Sequence, residues 1–584
     1  MDLDRRTVLA FLLIGLVLIL MQTDLYRRWL YRGTPRSAGA GQAGVAMRTG
    51  EEPVVEGGFQ VLGGEQMAAG EEEVGTARME PPAEGRERRI VVRTSLYQGE
   101  ISTRGARLVS WRMKNYRGPD GQAVELIGDG EASNLGLRFV VGLDTVDSKG
   151  WVWEFEGPDT LTVSDGEEAR LEFRLVWGDG RAASKMLTLY GGRYDILMQV
   201  RLEGWDTIVA DKSYRIAWGG GIPSSEARVA EDASYTKVYG LLGKSLEKVD
   251  VGKSGAVSQA VSGVVRWVAG RTKYFTVALI PQGLEGEGIE VKGWRGKVRG
   301  GDWKFYDFAL RLPLVRPREE HTIRVYLGPL DYSIVRRYGA DLERMMDFGW
   351  SVIRPISKGI LILFRWFHRL VPNYGVVLII FSLLVKIVVY PLTRKSYVSM
   401  KQMQLLQPRL AELKEKYGND PQRLNRETMK LYREYGINPM SGCLPLLLQF
   451  PLLYALFIVF RSTIELRGAK FVGWMKDLSQ PDTVLELPFS LPLYGRGVCV
   501  LPIVMGITMF VQQKMTVTDP KQKAMVYVMP IFFVLLFNTF PSGLNLYYTL
   551  FNVLSIVQQK VIPEKAVQLE PREAAPKRRG WRKV

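Results

Sequence analysis

Lys386 is the one charge inside a seventeen-residue apolar run, Gly375–Pro391 (GVVLIIFSLLVKIVVYP). An ammonium in hydrocarbon is costly, so an ionisable residue there is a functional candidate by default. Arg394 and Lys395 are the next charges, which puts Lys386 about 12 Å inside them along a helix. Snorkelling of the lysine stem toward the headgroups is the competing reading, and the residue alone does not separate the two. Gln449, Asn538, Asn552, Gln512 and Gln513 also lie within or beside apolar runs. Such amides either contact a substrate or bond a neighbouring helix, the second being the simpler expectation for Gln449 and Asn552.

Other chemistries lack their residues. His321 and His368 stand far apart, without metal-ligand spacing, and His321 is expected to be a structural surface residue. Ser542 has neither nucleophile-elbow spacing nor a histidine partner, and no Walker-type phosphate loop is present. Cys443 and Cys499 both fall in or at apolar runs, so a disulfide framework is not indicated and no cofactor is expected.

The elements that must position Lys386 follow from an uneven composition. The 584 residues are 46% hydrophobic with a net charge of +17. The C-terminal part nevertheless carries apolar blocks at Tyr374–Pro391, Cys443–Phe460, Val498–Val511, Ala524–Phe540 and Leu544–Val561. A single soluble domain is excluded. Lys and Arg cluster between the blocks, a membrane-topology pattern and not a nucleic-acid one.

Ten basic residues between Leu392 and Gly442 mark a cytoplasmic loop, and the more balanced Arg467–Arg496 loop reads as external. Lys514, Lys521 and Lys523 return the chain inside, the uncharged Pro541-Ser542-Gly543 turn is outside, and the basic tail 563–584 is cytoplasmic, suited to anionic lipid or ribosomal RNA. An N-terminal anchor, 1–32, built on Val8–Met21, completes six spans by parity with a cytoplasmic N-terminus. Residues 33–87, rich in Gly, Ala and Glu, form a linker. Residues 88–330 alternate apolar and polar side chains in short runs such as EARLEFRLVW, predicting a β-sandwich with tryptophans in its core.

Within 331–373, Ile353, Ile356, Ile360, Leu363, Phe367 and Leu370 recur at helical spacing, predicting an amphipathic helix in the interface plane. The core, 374–562, contains a cytoplasmic helical hairpin at 392–441, whose Tyr397, Met400, Met403, Leu406, Leu410 stripe argues for a packing partner and whose Pro408 should kink or restart the first arm.

The ordered runs NYGVVLIIFSLLVKIVVYPLT, QLLQPRLAELKEKYGND, YGINPMSGCLPLLLQFPLLYALF and FPSGLNLYYTLFNVLSIVQQ resemble the YidC family of bacterial membrane protein insertases, and the related insertases of mitochondria and chloroplasts, over roughly 331–562. The resemblance implies a polytopic α-helical membrane protein in the inner membrane: six spans, a five-helix insertase core with a hydrophilic groove, and a periplasmic all-β sandwich domain. It implies that nascent membrane proteins are the clients and that the Sec translocon and the ribosome are partners. It places Lys386 where the family usually has Arg, Ser382 where it usually has Thr, and Tyr548 at a groove aromatic. A lysine, unlike an arginine, depends on groove hydration to stay an ammonium. A small-solute transporter is the alternative class, but no repeated segment pattern is found; an intramembrane protease would need paired Asp, His or Ser–His groups that the runs lack.

Overall fold

The structure, a computed structural model, describes residues 85–561 apart from 178, 253–254, 419, 438–443, 492–493 and 517–522. The expected anchor 1–32, the linker up to residue 84, and the tail 563–584 with its lipid and ribosome contacts lie outside the described residues.

Alternating side chains build the β domain. In Glu168–Val176, Leu171, Phe173 and Leu175 point inward while Glu172 and Arg174 stay in solvent, the pattern of a sheet with one wet face. The domain is all-β but larger than a seven-stranded sandwich: a five-stranded sheet faces a fourteen-stranded one. Along the large sheet the order runs Val209–Trp218, Gly301–Pro313, Gly286–Val298, Ala256–Arg271, Phe275–Gln282, Arg318–Pro329, Asp195–Glu203, Ala182–Tyr190 and Glu168–Val176, antiparallel throughout. Both sheets share one core, where Trp111, Trp153, Trp205, Trp218 and Trp267 are buried; each such ring contributes about 2–3 kcal/mol of burial.

His321 is not a surface residue. It sits buried between neighbouring strands, its Nδ1 2.9 Å from the Tyr214 hydroxyl, because its strand, Arg318–Pro329, is central in the sheet and this register position faces inward. Burial holds the imidazole below its ordinary pKa, against the pull of Glu319. Two carboxyls shift the same way: burial raises Glu231 and Asp250, but Lys273 and Arg461 beside the first and Lys237 and Lys304 beside the second outweigh it and hold both below the carboxylate range. In each case the unfolded chain binds the extra proton, so stability falls on acidification. The full chain in detergent should lose the His321 contribution to thermal stability as pH drops below about 6.5 and the Glu231 and Asp250 contributions below about 4.5, while Asp232, raised by burial to about 6, works in the opposite sense. His321→Gln should remove the first of these contributions, read as a difference in melting temperature from the parent that changes between about pH 8 and 5; a difference that stays constant with pH would contradict this account.

The helical half begins with α1 (Ile353–Leu370), α2 (Tyr374–Leu405), α3 (Gln407–Tyr417) and α4 (Pro421–Glu434). It continues with α5 (Leu444–Ser462), α6 (Val500–Thr516), α7 (Lys523–Phe537) and α8 (Ser542–Val561). On α1 the buried face is Ile353, Ser357, Ile360, Leu361 and Phe364, rotated from the expected stripe, so that Leu363 and Leu370 are exposed. Asn373 caps α2 by accepting from the Gly375 and Val376 amides at 2.9 and 3.2 Å. Helix α2 then runs through Pro391 and past Leu392 to Leu405, so the charges that end the apolar run do not end the helix. The chain restarts at α3 with Pro408 in its first turn, and Asp420 caps α4.

The β domain and the helices meet through buried charge. Arg467, just beyond α5, binds Glu226 at 2.6 Å and the Ser225 carbonyl at 3.0 Å, while Arg365 of α1 bridges Asp331 and Glu465. Leu361 and Ile464 join the β domain's apolar core. Among the described helices α2 alone is long and apolar enough to cross a bilayer by itself; the apolar parts of α5 (Gln449–Ser462) and α7 (Val526–Phe537) are shorter.

Candidate functional site

Helix α8 packs against α6, α2 and α5, and its composition explains what it presents to them. Ser542, Asn545, Thr549, Asn552, Ser555 and Gln559 follow one another at three- and four-residue steps and are all buried, a polar column about 26 Å long on an otherwise apolar helix. Lys386 meets this column from α2. Its stem is buried, its ammonium donates to the Ser555 hydroxyl at 2.6 Å, and it lies 4.4 Å from the Phe551 ring centroid and 5.8 Å from that of Tyr397. Ser555 in turn donates to the Phe551 carbonyl at 2.7 Å, which leaves its lone pairs for the lysine. No carboxylate pairs with Lys386 among the described residues, so its charge is balanced by one hydroxyl and two ring faces.

The other expected residues divide by contact. Ser382, one turn before Lys386, is fully buried and donates to the Leu378 carbonyl at 2.7 Å, so its hydroxyl is tied to its own helix. Tyr548 is buried edge-on against Phe537, 5.4 Å between centroids. Asn552 bridges α8 to α6 through the Thr508 hydroxyl at 3.3 Å. Asn538, just beyond α7, accepts from the Cys499 amide at 3.1 Å and donates to the Tyr494 carbonyl at 2.8 Å, pinning a loop and not lining a groove with Lys386. Gln449 and Gln512 are half-buried on α5 and α6, and no hydrogen bond links either to Lys386 among the described residues. The buried Gln513 amide oxygen has no partner there.

Sequence reasoning missed Ser555, Thr393, Gln558 and Gln559. Gln558 donates to the Thr393 hydroxyl at 3.0 Å, a second α8–α2 link nearer the C-terminal end of α8, and Gln559 reaches Thr516 of α6 at 3.3 Å. Their signal was the spacing on α8, a polar stripe where lipid-facing or packed positions would be apolar.

Two family models cover nearly all the described chain: residues 366–569 match the 60Kd inner membrane protein family, and residues 89–363 match the YidC periplasmic domain. The membrane protein insertase YidC of Chlorobium luteolum is 36% identical over 566 residues, 95% of this chain and 94% of that relative. The chain belongs to the YidC membrane protein insertase family. The YidC of Chlorobium phaeovibrioides is 39% identical over 487 residues, spanning 82% of this chain and 83% of that one. A crystal structure of an active YidC insertase with its first transmembrane domain resolved aligns over 81% of this chain and 92% of that one, at 20% identity and a TM-score of 0.34. Within the YidC frame, the β domain matches the family's periplasmic domain and the buried cation of α2 lies in the segment that matches the 60Kd inner membrane protein family.

Proposed function

We propose that this chain inserts, folds and assembles integral membrane proteins in the inner membrane, as a binding machine and not a covalent catalyst. The observation that carries this reading is the Lys386–Ser555 contact: a buried cation held by a neutral hydroxyl on a polar column that crosses the helix packing. An ammonium has three donors, and Ser555 takes one. A client's acidic or carbonyl-rich segment replaces or joins Ser555 and rests on the column, while the client's apolar span slides into lipid. The column lowers the cost of taking polar backbone through hydrocarbon, and the transfer of the client's apolar span supplies the drive.

The topology proposed with this function has six spans, the N-terminal anchor plus α2, α5, α6, α7 and α8, with both termini cytoplasmic. The loop charges support it, as does the amphipathic α1, whose exposed Ile362, Trp366 and Leu370 suit an interfacial helix. The hairpin α3–α4 then faces the cytoplasm, where its cations suit a ribosome or anionic lipid, and the Sec translocon is a proposed neighbour in the bilayer. The match to the insertase family over nearly the whole chain, with no repeat of the segment pattern in the sequence, disfavours a small-solute transporter.

The test is reconstitution of the purified protein in liposomes with a short single-span client carrying a small external tail. Protease protection of the client above empty liposomes is expected. Its absence with folded protein would restrict the chain to a role that requires the Sec translocon.

A further inference from the structure

The external loop between α5 and α6 carries a two-stranded hairpin, Thr483–Leu491 paired with Gly495–Cys499. Isolated hairpins are marginal in water, and this one pairs with no other strand among the described residues. Its longer strand exposes four large apolar side chains: Val484, Leu485, Phe489 and Leu491 are each 42–60% exposed, and Glu486 is the only acid in either strand. The base is nonetheless firmly held. Asp482 accepts from the Val500 and Leu501 amides at 3.1 and 2.8 Å and from the Trp474 indole at 3.0 Å, capping α6, while Asn538 bonds the Cys499 amide and the Tyr494 carbonyl. A hairpin fixed to the start of one helix and the end of another, with large apolar side chains exposed along its longer strand, is built to meet an apolar medium.

We infer that this hairpin lies in the external leaflet of the bilayer, at the boundary of headgroups and acyl chains, as a lipid-binding extension of α6. The inference rests on the topology above. Lipid, and not a protein partner, fits for three reasons. Exposure is on both faces, where a partner would cover one. The apolar surface continues directly into the exposed Ile503, Val504 and Ile507 of α6. Exposed Lys470 and Lys476 precede it in the loop, Arg496 is exposed in its second strand, and the half-exposed Trp474 bonds Asp482 at its base, side chains of the kind that anchor segments at anionic headgroups. Depth is limited by the backbone: the strands' outer edges have unpaired amides and carbonyls that need water, so the hairpin rests at the boundary and does not enter the hydrocarbon centre. Pro488 removes one such donor from the longer strand.

The experiment places an environment-sensitive nitrobenzoxadiazole probe on single introduced cysteines of the full chain in nanodiscs, with Cys443 changed to Ser and Cys499 left buried. The sites are Phe489→Cys in the hairpin, Ile507→Cys on α6, and Leu143→Cys, a fully exposed β-domain control. Nitroxide-bearing lipids serve as quenchers, with the label shallow or deep in the acyl chain. The Phe489 probe should be blue-shifted against the Leu143 probe and quenched several-fold more by shallow than by deep label, and the Ile507 probe should be quenched more by deep label than the Phe489 probe is. Quenching at Ile507 with none at Phe489 overturns the inference and leaves the topology standing; a blue-shifted but unquenched Phe489 probe would mean protein covers the hairpin. No quenching at Ile507 overturns both.

Discussion

Lys386→Glu is expected to lower the insertion rate of clients with acidic external tails by roughly tenfold or more, about 1.4 kcal/mol or more of lost stabilisation, with Lys386→Arg within about twofold of the parent. The direction follows from the contacts. Lys386 faces the Ser555 oxygen and the π-faces of Phe551 and Tyr397, three electron-rich partners that suit a cation. A carboxylate in the same place meets the negative ring faces, leaves the hydroxyl to reorient as a donor, and repels the acidic segment it should receive. Arginine keeps the charge and brings a planar fork that can reach Ser555 and a client carbonyl together. Lys386→Met separates charge from packing: with similar stem volume and no ammonium, it should slow acidic clients and leave neutral ones nearly unchanged. The readout is protease protection in liposomes, scored for clients that differ only in tail charge. Equal activity of the Glu and Arg variants would sink the proposed role of the charge.

How far the sequence showed this site depends on what marks each residue. Lys386 was legible because one charge in an apolar run is anomalous without any knowledge of neighbours. Its partner was not: a serine in a span is common, and only the fold brings Ser555 to within 2.6 Å across 169 positions of chain. The amides were visible as polar residues in apolar runs, but periodicity does not tell which helix each one bonds, so Asn538 was grouped with the groove although it fastens the loop between α5 and α6. The extent of α2 was hidden for a different reason. Basic residues report where lipid ends, whereas helix ends are set by capping and breaks, so the hairpin's first arm begins inside the same helix as Lys386. In the β domain, alternation located strands such as Glu168–Val176, but the number of strands in a sheet and the placement of His321 depend on pairings far apart in sequence.

Lys185→Met should destabilise the β domain by about 3–5 kcal/mol, although methionine matches the lysine stem in volume. Lys185 lies on an inward register position of Ala182–Tyr190, fully buried, and its ammonium donates to the carbonyls of Gly105, Ala106 and Leu135 at 2.9, 3.2 and 2.7 Å, 5.0 Å from the Trp153 ring. Those carbonyls come from turns in the left-handed region, with φ of 79° at Gly105, 42° at Ala106 and 69° at Leu135. For alanine and leucine that conformation costs about 1–2 kcal/mol each, so something must hold it, and the lysine's hydrogen bonds are placed to do so. Methionine leaves three buried acceptors unsatisfied at about 1–3 kcal/mol apiece, partly offset because no charge is then desolvated. For a domain of this size the apparent melting temperature should fall by roughly 6–20 °C. A double-mutant cycle tests the mechanism. Ala106→Gly adopts the left-handed turn without cost, so if Lys185 acts by holding that turn, the loss from Lys185→Met should shrink by about 1 kcal/mol in the glycine background. An unchanged loss would mean that the lysine serves the carbonyls alone, and no loss in either background would mean that water replaces the ammonium among the three carbonyls.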